Sequence, residues 1–119
     1  MVAEAFDHLS VWRVGAVTVC RIVPDKLFDE QIVDEVRQEL ARLVAEQQPK
    51  SLVVNFSSVE MIRSMGLSAM VVLNRKVKAC GGRLILCGLR SKVHEVFVVS
   101  SLDKLFDIKD TEADALAAF

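Results

Sequence analysis

Apolar positions along the chain change their spacing several times, and each change marks a different element. Ser10-Val11-Trp12-Arg13-Val14 alternates, as does Val17-Thr18-Val19-Cys20-Arg21-Ile22, with Gly15-Ala16 between them. Alternation puts successive side chains on opposite faces of a strand, and so short a glycine-containing break predicts a hairpin. Pro24 ends the second strand, because proline has no N–H to give a sheet ladder.

From Glu30 to Glu46 the spacing becomes helical. Ile32, Val33, Val36, Leu40, Leu43 and Val44 fall on one face, while Glu35, Arg37, Gln38, Glu39 and Arg42 take much of the rest. Asp29 stands where a side-chain oxygen can accept from the free N–H groups of the first turn. Pro49 and Lys50 lead into Ser51-Leu52-Val53-Val54-Asn55-Phe56, a short apolar run typical of a strand covered on both faces.

A loop, Ser57 to Arg63, precedes a second helix from about Ser64 to Ala79, with Leu67, Met70, Val71 and Val77 facing inward. Arg75, Lys76 and Lys78 load its C-terminal end, where the helix dipole favours cations, and Gly81-Gly82 stops it. Arg83 to Cys87 reads as the fourth strand, and Ser91 is placed to cap a third helix with Val93, Val96 and Phe97 inward. Leu105-Phe106-Asp107-Ile108 reads as a short edge strand. Thr111 with Asp114 resembles a capping arrangement for a final helix that carries Leu116 and Phe119.

Strands alternating with helices predict an α/β fold: a mixed, mostly parallel β-sheet of about four to five strands packed against about four α-helices. A length of 119 residues suits one domain, with a core from roughly residue 10 to the C-terminus. Apolar residues make up 52% of the chain, which is enough to fill that core. The 15 basic and 16 acidic residues leave a net charge of −1, and no basic block is interleaved with aromatics, so nucleic acid is not an expected partner.

Direct membrane insertion is not expected either. No apolar stretch is long enough to span a bilayer, and MVAEAFDHLS lacks the basic-then-apolar pattern of a signal peptide. The three cysteines are odd in number, and Cys20 and Cys87 lie within apolar runs, where a free thiol packs as a small hydrophobe. A reducing, cytoplasmic compartment is the expectation. No zinc-like spacing joins these cysteines to His8 or His94, no phosphate-cradling glycine loop is present, and no catalytic constellation emerges. Neither a metal, a cofactor nor an enzymatic activity is expected.

Three segments carry a family resemblance. Leu52-Val53-Val54-Asn55-Phe56-Ser57-Ser58-Val59 followed by Met61-Ile62-Arg63-Ser64-Met65-Gly66-Leu67 resembles the central signature of STAS domains, the family of anti-sigma factor antagonists typified by SpoIIAA. Lys78-Ala79-Cys80-Gly81-Gly82-Arg83-Leu84-Ile85-Leu86 matches the family's glycine-pair turn into its next strand. Val96-Phe97 and Leu102-Asp103-Lys104-Leu105-Phe106-Asp107-Ile108 match its closing segment. Each piece alone is common, whereas their order and spacing together are specific.

The resemblance implies a regulator that binds an anti-sigma factor which is also a serine kinase, with a phosphatase as a further partner. It implies phosphorylation at Ser64, an aspartate beside that site at Asp29, and a partner-binding surface of Asp29, Arg63, Ser64, Met65 and Gly66. The chemistry is sound without the family: a helix N-terminus accepts a phosphate well, and the modification adds about −1.5 to −2 charge. The plainer alternatives are that Ser64 and Asp29 are only N-caps.

The sequence departs from the family at Arg63, where an acid is usual, and at Met65. Arg63 can pair with a phosphate or with Asp29, and either would weaken an electrostatic switch. Two other functions are open: a scaffold that is never phosphorylated, which Arg63 favours, and, as the resemblance also implies, an accessory module of a transport system.

Overall fold

The computed structural model describes residues 6–119, so the first five residues of the stretch read for a signal pattern lie outside it. The chain opens with the expected hairpin, β1 (Leu9–Val14) and β2 (Val17–Ile22), antiparallel and in register from Leu9 with Ile22 to Val14 with Val17. Gly15 takes φ +61 in the turn, a conformation that costs glycine little. Two residues, β3 (Lys26–Leu27), precede α1 (Glu30–Gln47).

Next come β4 (Ser51–Asn55), the two-residue β5 (Met61–Ile62) and α2 (Ser64–Ala79). The chain finishes with β6 (Arg83–Cys87), α3 (Ser91–Val99), a 3-10 turn at Leu102–Lys104, β7 (Asp107–Lys109) and α4 (Glu112–Ala117). The main sheet has the order β1-β2-β4-β6-β7, and every pairing except β1 with β2 is parallel. Four helices and this five-stranded mixed sheet agree with the architecture expected from the residue pattern.

Alternation splits the sheet's side chains between two cores. Cys20, Ile22, Leu52, Val54, Leu84 and Leu86 meet α1, α2 and α3 in the larger one. Val17, Val19, Val53, Ile85 and Cys87 face the other way, where Ala115 of α4 joins them. Leu52, Val53 and Val54 are fully buried, as a strand covered on both faces requires. Cys20 and Cys87 pack as apolar groups, and burial pushes their thiols up to about 12 and about 11. All three cysteines are free.

Several local expectations are corrected. The first helical residue of α2 is Ser64 and that of α3 is Ser91, so the N-cap positions belong to Arg63 and Arg90, neither of which makes a side-chain cap hydrogen bond. Ser64 and Ser91 are therefore not the caps. The last strand begins two residues later than the pattern suggests, because a 3-10 turn, closed by Leu105 N–H donating to Leu102 O, occupies the preceding segment. Asp29 and Thr111 do cap their helices, accepting from Ile32 N–H and Asp114 N–H.

Candidate functional site

The second, smaller sheet positions the site. β3 and β5 pair in parallel, Lys26 with Met61 and Leu27 with Ile62. Beyond that pairing the chain runs on through Phe28 and Asp29 on one side before α1 begins, and through Arg63 alone on the other before α2 begins at Ser64. The pairing continues into the first of these steps: Arg63 N–H donates to Leu27 O at 3.2 Å, and the Arg63 guanidinium lies over the Phe28 ring, 4.8 Å from its centroid. The starts of α1 and α2 thus emerge side by side, with Asp29 on one and Ser64 on the other.

The two helix starts differ in chemistry. In α1 the Ile32 N–H donates to the Asp29 carboxylate, and Glu30 adds a second acid in the first turn. In α2 no side chain caps the N-terminus and the first turn contains no acid. The free N–H groups there leave a partial positive charge beside Ser64, which is exposed. Arg63 stacks on Phe28 and forms no ion pair with Asp29, so its charge remains available at the surface.

Ser64 and Met65 lie between two depressions. On the α1 side, Glu30, Gln31, Asp34 and Met65 line a cleft of about 400 Å³. The hydrogen bond from Arg37 holds the Asp34 carboxyl below the usual carboxylate range, so this wall is anionic at neutral pH. On the α3 side, Ser64 opens a groove of about 450 Å³ whose walls include Leu67, Val71 and Val72.

Of the residues singled out from the sequence, Asp29, Arg63, Ser64 and Met65 are exposed around this point, whereas Gly66 is buried. A Cβ on Gly66 would stand 2.7 Å from Ile62 Cγ1 and 3.0 Å from Leu27 O, so this glycine seats α2 against the small sheet. Met61 and Met65 are each 43% exposed and Met70 is fully buried. Trp12 stays 36% exposed on the outer strand of the hairpin.

The pattern of residues did not reveal Phe28 or the β3–β5 pairing. Two residues carry no alternation, and a pairing across 35 positions is a tertiary event. His8, read as isolated, is pinned to α1: its backbone N–H donates to Glu39 and its Nε2 lies 2.9 Å from Glu35 Oε1. Among the described residues no group of three or more His, Cys, Asp or Glu is arranged to hold a metal ion.

Asp29 combines two roles that substitution can separate. Asparagine caps helices about as well as aspartate, so Asp29→Asn is expected to leave stability within roughly 0.5 kcal/mol while removing the charge beside Ser64. Asp29→Ala is expected to cost about 1 kcal/mol in urea denaturation followed by circular dichroism. Equal stability of the alanine variant and the parent would show that the cap is not needed.

Comparison with known proteins fits this geometry. Residues 15–115 match the model of the STAS domain family. The chain is 28% identical to BtrV of Bordetella bronchiseptica over 72% of its own length and 73% of the relative's. It is 25% identical to an anti-sigma F factor antagonist of Paenibacillus polymyxa, covering 74% and 75% of the two chains. The crystal structure of an anti-sigma factor antagonist from Mycobacterium paratuberculosis superposes with a TM-score of 0.82 at 23% identity, covering 98% of this chain and 97% of that one. The chain belongs to the STAS domain family.

Proposed function

From that membership, we propose that the chain is a single-domain anti-sigma factor antagonist, working in the cytoplasm. It captures an anti-sigma factor that is also a serine kinase, and phosphorylation of Ser64 by that partner releases it. A phosphatase would restore the capturing form. It is a binding protein and a kinase substrate, not an enzyme.

The observation that carries this reading is the placement of Ser64: an exposed hydroxyl on the first residue of a helix whose N-terminus has neither a side-chain cap nor an acid. The free N–H groups accept a phosphate there, and the acidic wall of Glu30 and Asp34, with Asp29 at the cap of the same helix, gives the added charge something to repel. The relative from Paenibacillus polymyxa is named an anti-sigma F factor antagonist. SpoIIAA, a structural neighbour, has been solved in unphosphorylated and phosphorylated forms.

Arg63 favours a second reading, a scaffold that uses the same surface without phosphorylation, because its free charge would offset a phosphate on the next residue. One set of measurements separates the two. The chain is incubated with a kinase-type anti-sigma factor from its own organism and ATP, phosphate is mapped by mass spectrometry, and capture is measured for each variant.

The switch predicts that label falls on Ser64 alone. Ser64→Ala should take no label and bind within about two-fold of the parent, while Ser64→Asp should bind at least about ten-fold more weakly, or roughly 1.4 kcal/mol. The scaffold predicts no label and a loss of binding in Arg63→Asp instead. An unlabelled Ser64 with equal capture by both serine variants rules out the switch.

A further inference from the structure

The groove that starts at Ser64 has a composition of its own. It follows α2 from Ser64 to Arg75, eleven residues or about 16 Å of helix, and Ser100 and Leu102 at the end of α3 form the facing wall. Its floor and sides are apolar: Leu67 is buried and Val71, Val72 and Leu102 are half-buried. Past Ser100 a second depression of about 220 Å³ continues the path between Val96, Val99 and Lys92. Val99 is 78% exposed and Val98 46%, adjoining residues that no described element covers. Single exposed aliphatics occur elsewhere, at Val14, Val23 and Leu105, but here they adjoin an apolar path, which marks a contact surface.

The charges around the path have one dominant sign. α2 carries Arg75, Lys76 and Lys78 and no acidic residue at all, and none of the three forms an ion pair among the described residues. Lys92 stands on the second depression, with Glu95 as its only acid. The neighbouring α1 is the reverse, with five acids against two arginines. Arg75 in the first depression and Lys92 in the second thus put cations on an apolar path, with Lys76 and Lys78 following Arg75 along α2.

We propose that this groove docks an amphipathic helix of the partner protein, one that presents aliphatic side chains at i, i+4 and i+7 to Leu67, Val71, Val72 and Leu102 and carboxylates to Arg75 and its neighbours. Helix-in-groove recognition uses such anchors, and charge complementarity at the rim sets which partner is accepted. A second copy of the chain is a poorer occupant. Its acidic helix α1 has turned its aliphatic face, Val33, Val36, Leu40 and Leu43, into its own core.

The proposal also gives the switch a reader, and for that role of Ser64 it rests on the reading above. A phosphate on Ser64 would stand at the mouth of the groove, where it repels an acidic partner helix directly. Arg63, held against Phe28 outside the groove lining, does not need to be an acid for this to work.

The test uses the full chain, labelled with nitrogen-15, and synthetic helical peptides of about 15 residues. One peptide has leucines at i, i+4 and i+7 with glutamates at both ends; a second replaces glutamate by lysine, and a third replaces leucine by serine. The glutamate peptide is expected to shift the amide signals of Leu67, Val71, Val72, Ser100 and Leu102 saturably, with affinity falling several-fold as salt rises. The lysine and serine peptides should leave them in place. Val72→Glu should abolish binding, and the exposed Arg75→Glu, which leaves packing intact, should transfer preference to the lysine peptide.

Equal binding of the glutamate and lysine peptides, groove signals that move only with the concentration of the chain itself, or shifts produced only by vesicles containing phosphatidylglycerol would each overturn the proposal. Ser64→Asp is expected to weaken the glutamate peptide about three- to ten-fold. Undiminished binding in that variant removes the switch and leaves the docking site. Labelling of Ser64 by the kinase without any peptide binding removes the docking site and leaves the switch.

Discussion

Phe97→Ala is expected to remove about 3–5 kcal/mol of folding stability, as large-to-small changes at buried aromatic positions do. The ring is fully buried and sits edge-on to two others, 6.1 Å from the Phe56 centroid and 5.6 Å from that of Phe106. Such pairs add to the burial term, and here they join three separate parts of the chain: the end of β4, the inner face of α3 and the approach to β7. α3 is nine residues long and has only Val93 and Phe97 fully inside, so it cannot replace the lost contact with another.

Against a typical total of about 5–15 kcal/mol, a loss of that size takes roughly a fifth or more of the stability. It should appear as a fall of roughly 10–20 °C in the thermal midpoint and a lower urea midpoint with an unchanged slope. Phe97→Leu, which keeps most of the volume, should lose a smaller fraction. A fall of less than about 1 kcal/mol for the alanine variant would mean that the three rings do not hold α3 to the sheet. Because α3 also forms one wall of the groove at Ser64, the same variant should loosen that wall before the rest of the chain unfolds.

How far the fold was legible follows from how each element is held. α1 and α2 carry helical spacing over 18 and 16 residues, and the hairpin alternates on both strands, so local pattern and final structure agree within a residue or two. Ser64 and Ser91 illustrate the limit. Serine is a favoured cap, and the sequence offers nothing against that role at either position. The structure starts both helices one residue earlier than a serine cap would, at the serine itself, with an arginine at the cap position. At Arg63 the reason is visible: its backbone is extended and its N–H is taken by Leu27 O, so it belongs to the β3–β5 pairing and the helix can begin only after it.

The candidate site could be named by its residues and not by its setting. Asp29 and Ser64 could be named from the resemblance, but what brings them level is a pair of two-residue strands with no periodicity to read. The acidic cleft and the apolar groove on either side of Ser64 were equally hidden. Each takes its lining from two elements distant in sequence, Glu30 and Met65 in one case and Val72 and Leu102 in the other.

Gly66→Ala sets two effects of opposite sign against each other. Gly66 is the third residue of α2, and alanine there should gain up to about 1 kcal/mol of helix propensity. The added Cβ, however, meets Ile62 Cγ1 at 2.7 Å and Leu27 O at 3.0 Å. Neither neighbour yields easily. Ile62 is β-branched, with a stiff first side-chain torsion, and Leu27 O is held by the Arg63 N–H. Overpacking of this kind costs about 1–3 kcal/mol, so the clash should win and the variant should be less stable by about 1–2 kcal/mol.

The strain falls where the small sheet meets the first turn of α2, so the start of the helix, and Ser64 with it, should move away from Asp29. Capture of the partner should therefore fall more steeply than stability alone explains. Adding Ile62→Ala removes the nearer of the two clashing atoms, and a double-mutant cycle should show a favourable coupling of about 1 kcal/mol. Rescue should stay partial, because Leu27 O remains 3.0 Å from the new Cβ and belongs to the backbone. A Gly66→Ala chain as stable as the parent would instead mean that helix propensity had won, and that α2 is free to shift over the small sheet without moving Ser64 out of place.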